Sequence, residues 1–176
     1  MVRNSTPDMT AEAVLELIKL FDEHHLEVIV DGGWGVDALL GEQTRCHTDL
    51  DIAMPHESVP KLRALLEARG YTDILPEDTT EYNFVLGDEF GHRVDIHIYS
   101  FDAQGNLRFG LPYPFDSLSG HGTIQGYPVR CITPEWLVKF HSGYKLDEND
   151  YHDIKALCQR FGIEIPEEFA GFSVEG

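Results

Sequence analysis

Apolar positions along the chain recur first at helical and then at strand spacing. Over residues 10–24, Val14, Leu17, Ile18 and Phe21 fall three or four apart, with Glu12, Glu16, Lys19 and Glu23 between them. That spacing predicts an amphipathic covering helix after a frayed start at 1–9. An apolar run at 26–31 predicts a short buried strand that stops at paired glycines. A helix is expected over 33–40, ended by Gly41, then a polar loop over 41–48 and a second strand over 49–54 that Pro55 closes. Val59, Leu62, Leu65 and Leu66 form one stripe of a helix over 57–69, with Gly70 as its C-terminal cap. Strands follow at 71–75 and 81–86. After a turn at 88–91 the segment 92–99 alternates, with Val94, Ile96 and Ile98 on one face and Arg93, Asp95, His97 and Tyr99 on the other.

The second half is less regular. Residues 101–122 are rich in Gly, Pro and aromatics, and a segment of that length is expected to be a functional flap rather than a plain connector. A hairpin or edge strand is expected over 123–131, turning at Gln125-Gly126. Thr133 with Pro134 at the first helical position predicts a helix to about residue 141. A last helix starts near Asp147, presents Ile154, Leu157, Cys158 and Phe161, and ends at Gly162. Helix, strand, helix, strand, helix and then several strands make an α/β (α+β) chain: a mixed sheet flanked by helices, with a small C-terminal strand and helix extension.

Composition narrows the function classes. The chain has 176 residues, 42% of them hydrophobic, and a formal net charge of −18. It is long enough for one domain with a real core. A field of that sign repels nucleic acid polymers and anionic membranes, so neither is an expected partner. No run is long enough to span a bilayer and the N-terminus lacks an apolar signal core, so a cytoplasmic protein is expected. Cys46, Cys131 and Cys158 are odd in number and scattered, which reads as free thiols in a reducing compartment.

The chemistry concentrates between residues 30 and 54. At Asp31-Gly32-Gly33-Trp34-Gly35 a strand gives way to a helix through a glycine turn, and backbone N–H groups at a helix start bind phosphate. In Asp49-Leu50-Asp51-Ile52 the carboxylates share one face and the aliphatics the other. Two carboxylates about 7 Å apart along a strand can share a pair of magnesium ions, which hold a triphosphate and activate an attacking oxygen. Alone, an Asp-x-Asp is more often a solvated strand end and a Gly-Gly a tight turn. Their close succession points to phosphate chemistry. If the Asp49 and Asp95 strands are neighbours, Asp95 either completes a metal site or acts as general base on an acceptor hydroxyl, with His97 on the same face; on spacing alone, a solvent-facing strand residue is the alternative. Arg45 and His47, a few residues before the carboxylates, could contact phosphate oxygens, the alternative being plain surface exposure in the loop.

These residues carry a resemblance. Gly32-Gly33-Trp34-Gly35-Val36-Asp37, then Arg45-x-His47-x-Asp49-x-Asp51, then Val94-Asp95-Ile96-His97 resemble the antibiotic nucleotidyltransferases of the polymerase-beta superfamily. The likeness is closer to the small lincosamide nucleotidyltransferases than to the aminoglycoside 2''-nucleotidyltransferases. Phe140-His141-Ser142-Gly143-Tyr144 and Asp150-Tyr151-His152-Asp153-Ile154-Lys155 are also similar to the lincosamide group. The resemblance implies a nucleotidyltransferase core over residues 1–100, with flap, hairpin and C-terminal helices over 101–176 forming one compact unit with it. It implies two Mg²⁺ ions on Asp49, Asp51 and Asp95, and ATP or another nucleoside triphosphate as co-substrate. Gly32 and Gly33 would cradle the triphosphate, and Asp95 would deprotonate the acceptor hydroxyl. Wider relatives carry Gly-Ser where Gly33-Trp34 stands. Phosphate binding therefore falls to backbone N–H groups including that of Trp34, assisted by Arg45, His47, Lys139 or Lys145. The acceptor would lie against His97, Tyr99 and Tyr113.

The expected activity is AMP transfer to a hydroxyl of a small antibiotic, a lincosamide first and an aminoglycoside second. The −18 charge suits the polycationic aminoglycoside, whereas the flap aromatics Phe109, Tyr113 and Phe115 suit a lincosamide with its apolar tail. Two other classes remain open: a metal-dependent hydrolase using His47, Asp49, Asp95 and His97, or a toxin–antitoxin nucleotidyltransferase acting on a protein. Trp136 and the hairpin near Tyr127 are candidate contacts for a homodimer.

Overall fold

The computed structural model describes residues 8–141 and 146–169. Its spine, among the described residues, is an eight-stranded mixed sheet, ordered β3 (Thr72–Ile74), β4 (Asn83–Gly87), β5 (Arg93–Phe101), β2 (Leu50–Pro55), β1 (Ile29–Asp31), β8 (Tyr127–Cys131) and β7 (Gly120–Ile124), with β6 (Leu107–Gly110) added on β5. Helix α1 (Ala11–Glu23) starts where Thr10 caps the N–H of Ala13, and it buries the predicted stripe. Strand β1 (Ile29–Asp31) is three residues long, shorter than its apolar run suggests, and feeds directly into α2 (Gly32–Leu40). Gly41, at φ 77°, ends α2 in the left-handed conformation that glycine tolerates. Strand β2 (Leu50–Pro55) and α3 (Val59–Glu67) follow, then β3 (Thr72–Ile74), β4 (Asn83–Gly87) and β5 (Arg93–Phe101). On α3, Leu62 and Leu66 are fully buried, while Val59 and Leu65 only flank the core.

Residues 101–122 hold more regular structure than their composition suggests. Strand β6 (Leu107–Gly110) folds back antiparallel on β5, and a short 3₁₀ turn at Phe115–Ser119 leads into β7 (Gly120–Ile124). A two-residue turn with Gln125 at φ 48° and Gly126 at φ 78° closes the hairpin onto β8 (Tyr127–Cys131), a twist that suits antiparallel strands. The edge belongs to β7, because β8 lies inside the sheet, parallel to β1. Helix α4 (Pro134–Phe140) begins at Thr133, whose side chain makes no capping bond. Helix α5 (Glu148–Phe161) is closed by a reciprocal capping box between Asp147 and Asp150, and Gly162 ends it at φ 67°. No helix among the described residues is long and apolar enough to cross a membrane.

The core has two layers, one on each face of the sheet. Leu50, Ile52, Val94 and Ile96 pack under α1 and α3. Ile29, Ala53 and Tyr99 face the other way, against Leu137 of α4 and Ile154 and Leu157 of α5. The alternation along β2 and β5 thus aims Asp51 and Asp95 at the side that α4 and α5 cover.

Candidate active site

Strands β1, β2 and β5 meet at one end of the sheet and set the geometry. Asp31 opposes Asp51 across the antiparallel β1–β2 pair, and Asp51 opposes Asp95 across the parallel β2–β5 pair. The third carboxylate therefore lines up with Asp51; Asp49 lies just before β2, one step beyond. Donor atoms of Asp51, Asp95 and His97 all fall within 4.8 Å of one another.

The glycine turn sits against this cluster. Asp31 caps α2 by accepting the Gly32 N–H at 2.8 Å. Gly32 has φ 58°, and a Cβ there would lie 2.1 Å from Asp51 Oδ2. A Cβ on Gly33 would lie 2.5 Å from His47 Nδ1 and 2.6 Å from Arg45 Nη2. The Asp51 carboxylate thus packs against the Gly32 backbone, and the Arg45 and His47 side chains against that of Gly33.

The electrostatics follow from crowding. Burial, and then the charge of Asp95, raises the Asp49 carboxyl above its ordinary value. Asp51 stands well above its ordinary value, from burial first and then the Asp49 charge, with His97 opposing. Burial also works against the His97 cation, yet Asp31 and Asp95 outweigh it and lift the imidazole to about 10. Asp31 moves the other way. Burial disfavours its charge, but His97, 3.7 Å away, and hydrogen bonds from Tyr113 and the Gly32 N–H hold it below the usual carboxylate range.

Tyr113 comes from the flap. Burial and the Asp31 charge push its hydroxyl well above 10. It stays protonated, donates to Asp31 Oδ2 at 2.6 Å and accepts from His97 Nδ1 at 2.9 Å. His97 Nε2 lies 3.3 Å from Asp95 Oδ1, near enough for charge attraction. That carboxylate oxygen is nevertheless buried with no aligned hydrogen bond among the described residues. It is the kind of orphaned acceptor that a cation satisfies.

Two hollows share Gly32, Asp51 and His141 as a common wall. One, of about 380 Å³, is also lined by His97, Leu111, Pro112, Tyr113, Leu137 and Phe140. The other, also about 380 Å³, is polar and runs over Gly33, Arg45, His47 and Asp49 to the start of α5 at Asp147, Asp150 and Asp153. Arg45 and His47 are held from behind. His47 Nε2 meets Asp37 Oδ2 at 2.6 Å in the interior, and Arg45 gives two parallel bonds to Asp153 at 2.9 and 2.8 Å.

Gly32, Gly33, Arg45, His47, Asp49, Asp51, His97 and Tyr113 thus line these hollows, and Asp95, in the wall of neither, adjoins them through Asp51 and His97. Three other candidates lie elsewhere. The Trp34 ring is buried behind His47 at 4.7 Å between centroids, and its Nε1 donates to Met9 O, so only its backbone faces the turn. Lys139 sits on α4 with its ammonium 4.4 Å from the Trp136 ring centre and is in the wall of neither hollow. Tyr99 is buried behind Tyr113 and borders a separate hollow with Glu57, Phe101 and Phe115. The Lys145 candidate, and Ser142 to Tyr144 of the quoted motif, lie outside the described residues.

Sequence reasoning gave no role to Asp31, Asp37, His141 or Asp153. For His141 and Asp153 a signal existed, since both lie inside the two late runs that carry the resemblance. Asp37 ends the glycine motif, one turn beyond Gly33. Nothing marked Asp31 except its place before the glycines.

Known proteins resemble this chain in sequence and in fold. The family model described as aminoglycoside-2''-adenylyltransferase matches residues 13–157. A lincosamide resistance protein of Staphylococcus haemolyticus is 30% identical over 85% of this chain and 95% of its own length. A 2''-aminoglycoside nucleotidyltransferase of Escherichia coli is 29% identical over 70% of this chain and 67% of its own. Among solved structures, the lincosamide antibiotic adenylyltransferase LnuA with lincomycin bound superposes with a TM-score of 0.76. It shares 29% identity over 86% of this chain and 98% of that one.

Proposed function

From the premise that this chain belongs to the antibiotic nucleotidyltransferases of the aminoglycoside-2''-adenylyltransferase family, we propose that it transfers AMP from ATP to a hydroxyl of a lincosamide and releases pyrophosphate. The observation that carries the choice of acceptor is the apolar hollow of Leu111, Pro112, Tyr113, Leu137 and Phe140, which opens onto Asp51 and His97. It accommodates an acceptor with an apolar body and one reacting hydroxyl. The −18 charge and the acid-rich start of α5 favour a second reading, a polycationic aminoglycoside.

The donor set fits magnesium. Asp49, Asp51 and Asp95 offer hard carboxylate oxygens, one of them without a hydrogen bond among the described residues, and burial with mutual repulsion makes their joint ionisation costly unless a cation is present. Two such ions, when bound, would neutralise the triphosphate and favour attack at its α-phosphorus. The chain's own residues do the rest. The Gly32 and Gly33 backbone lies against the triphosphate, and Arg45 and His47 direct N–H groups at its oxygens. Asp95 accepts the proton of the acceptor hydroxyl. The acceptor O–H bond breaks, a bond forms to the α-phosphorus, and the bond to the bridging oxygen breaks as pyrophosphate leaves. Asp31 and Tyr113 fix the His97 ring beside Asp95. Catalysis is mostly positioning and charge neutralisation. Mass spectrometry of lincomycin, clindamycin and kanamycin after incubation with the enzyme, ATP and Mg²⁺ tests the reading: an adenylylated lincosamide supports it, and adenylylated kanamycin alone replaces it with the second.

A further inference from the structure

The loop between α2 and β2 carries Arg45 and His47 of the polar hollow yet has no regular structure, so tertiary bonds must aim them. One anchor is Asp37 of α2, which accepts from Thr44 Oγ1 at 2.6 Å and pairs with His47. The second anchor is remote in sequence. From α5, His152 Nε2 donates to Thr44 Oγ1 at 2.9 Å, and the next residue, Asp153, takes the Arg45 guanidinium in a two-bond fork. The Asp153 side chain is 2% exposed against 21% for Arg45, so the fork is anchored in the interior and its open end faces the hollow.

We propose that Asp153 is a positioning residue for the nucleotide: it holds the Arg45 guanidinium against the Gly33 backbone so that the remaining N–H groups meet the triphosphate. This rests on reading that hollow as the nucleotide site. A guanidinium has five N–H donors. Two go to Asp153 and one, on Nη1, to Cys46 O, which leaves one on each terminal nitrogen. Nη2 lies so close to Gly33 that a Cβ there would be 2.6 Å away. A buried carboxylate opposite a phosphate-binding arginine reduces net attraction. In exchange it removes the rotameric freedom of a long side chain, and a planar fork is suited to such fixing. Helix α5 thereby contributes to nucleotide binding from 108 residues away.

The test is calorimetric titration with α,β-methylene ATP and Mg²⁺, without acceptor, on wild type, Asp153→Asn, Arg45→Lys and the double variant. Asp153→Asn should weaken nucleotide binding about tenfold, as for loss of a charge-assisted hydrogen bond. Arg45→Lys, which keeps charge but not the fork, should do the same. The double variant should be no weaker than about twofold below Arg45→Lys alone, because both changes remove one device. The KM for the acceptor should not move, a split that a merely structural tie would not produce. Unchanged nucleotide affinity in Arg45→Lys, full additivity in the double variant, or a raised acceptor KM at constant nucleotide affinity would overturn the proposal. Arg45→Lys leaves the interior carboxylate in place and decides the matter if Asp153→Asn does not fold. If wild type binds the nucleotide but modifies no antibiotic, the acceptor reading falls and this one is still tested. If wild type binds no nucleotide, both fall.

Discussion

Asp51 and Asp95 stand directly opposite one another in adjacent parallel strands, with Gly32 of the turn packed against Asp51. The pairing makes one chemical unit of two motifs more than forty residues apart in the chain. The strand pleat puts both carboxylates on the face that α4 and α5 cover, and the turn brings backbone N–H groups to the same place.

Gly32→Ala should fold and lose activity. The new Cβ would meet Asp51 Oδ2 at 2.1 Å, and the residue would be held at φ 58°. In the proposed role of Asp51, displacing its carboxylate by about 1 Å costs on the order of a hundredfold in rate. The check is kcat alongside a far-UV spectrum. Near-normal kcat in a folded variant would show that Asp51 need not hold its place.

Asp37→Ala should be a stability mutant first. It removes a buried acceptor from both Thr44 and His47. The expected cost is about 3 kcal/mol, or a Tm lower by roughly 9 °C. Thermal unfolding checks it, and a Tm within about 2 °C of wild type would contradict the burial of that network.

Tyr113→Phe keeps the ring against Tyr99 and Phe140 but removes the bonds to Asp31 and His97. Turnover should fall about tenfold, one hydrogen bond to a charged group, with nucleotide affinity unchanged. Equal losses in both would place Tyr113 in general packing instead.

Metal should stabilise the protein increasingly as pH rises. Asp51 has its folded pKa raised well above 3.8, so the metal-free fold loses stability as pH climbs from 3.8 through that raised value. His97 is raised from 6.5 to about 10, so its contribution is complete below 6.5 and is lost as pH rises through 10. Both slopes have the same sign. A cation on the carboxylates removes the Asp51 penalty and competes with its proton. The Tm gain from Mg²⁺ should therefore grow between about pH 5 and 8, followed by scanning fluorimetry. A gain that shrinks over that range would contradict the crowding described for Asp51.

What the sequence made legible was local. Alternation in Asp49-Leu50-Asp51-Ile52 and in the β5 segment gave the strands, their faces and the carboxylates they carry, because a pleat has a strict period of two. Glycine and capping chemistry located α2, α5 and their ends. The partnering was not legible. Nothing local says that Asp153 reaches Arg45, or that β8 enters the sheet beside β1 while β7 takes the edge. Trp34 shows the same limit: it stands in the glycine motif, yet its ring packs into the core because α2 turns that face away from the cleft. Lys139 and Tyr99 lie near the site in sequence order but are aimed elsewhere by α4 and by the depth of β5.

The most direct measurement is pyrophosphate release from ATP and Mg²⁺ with lincomycin, clindamycin or kanamycin as separate acceptors, wild type against Asp95→Ala. Release should require a lincosamide and fall by at least about a thousandfold in the variant, the scale expected for a removed general base and metal ligand. Release that persists undiminished in Asp95→Ala, or silence with every drug while nucleotide still binds, would contradict the account.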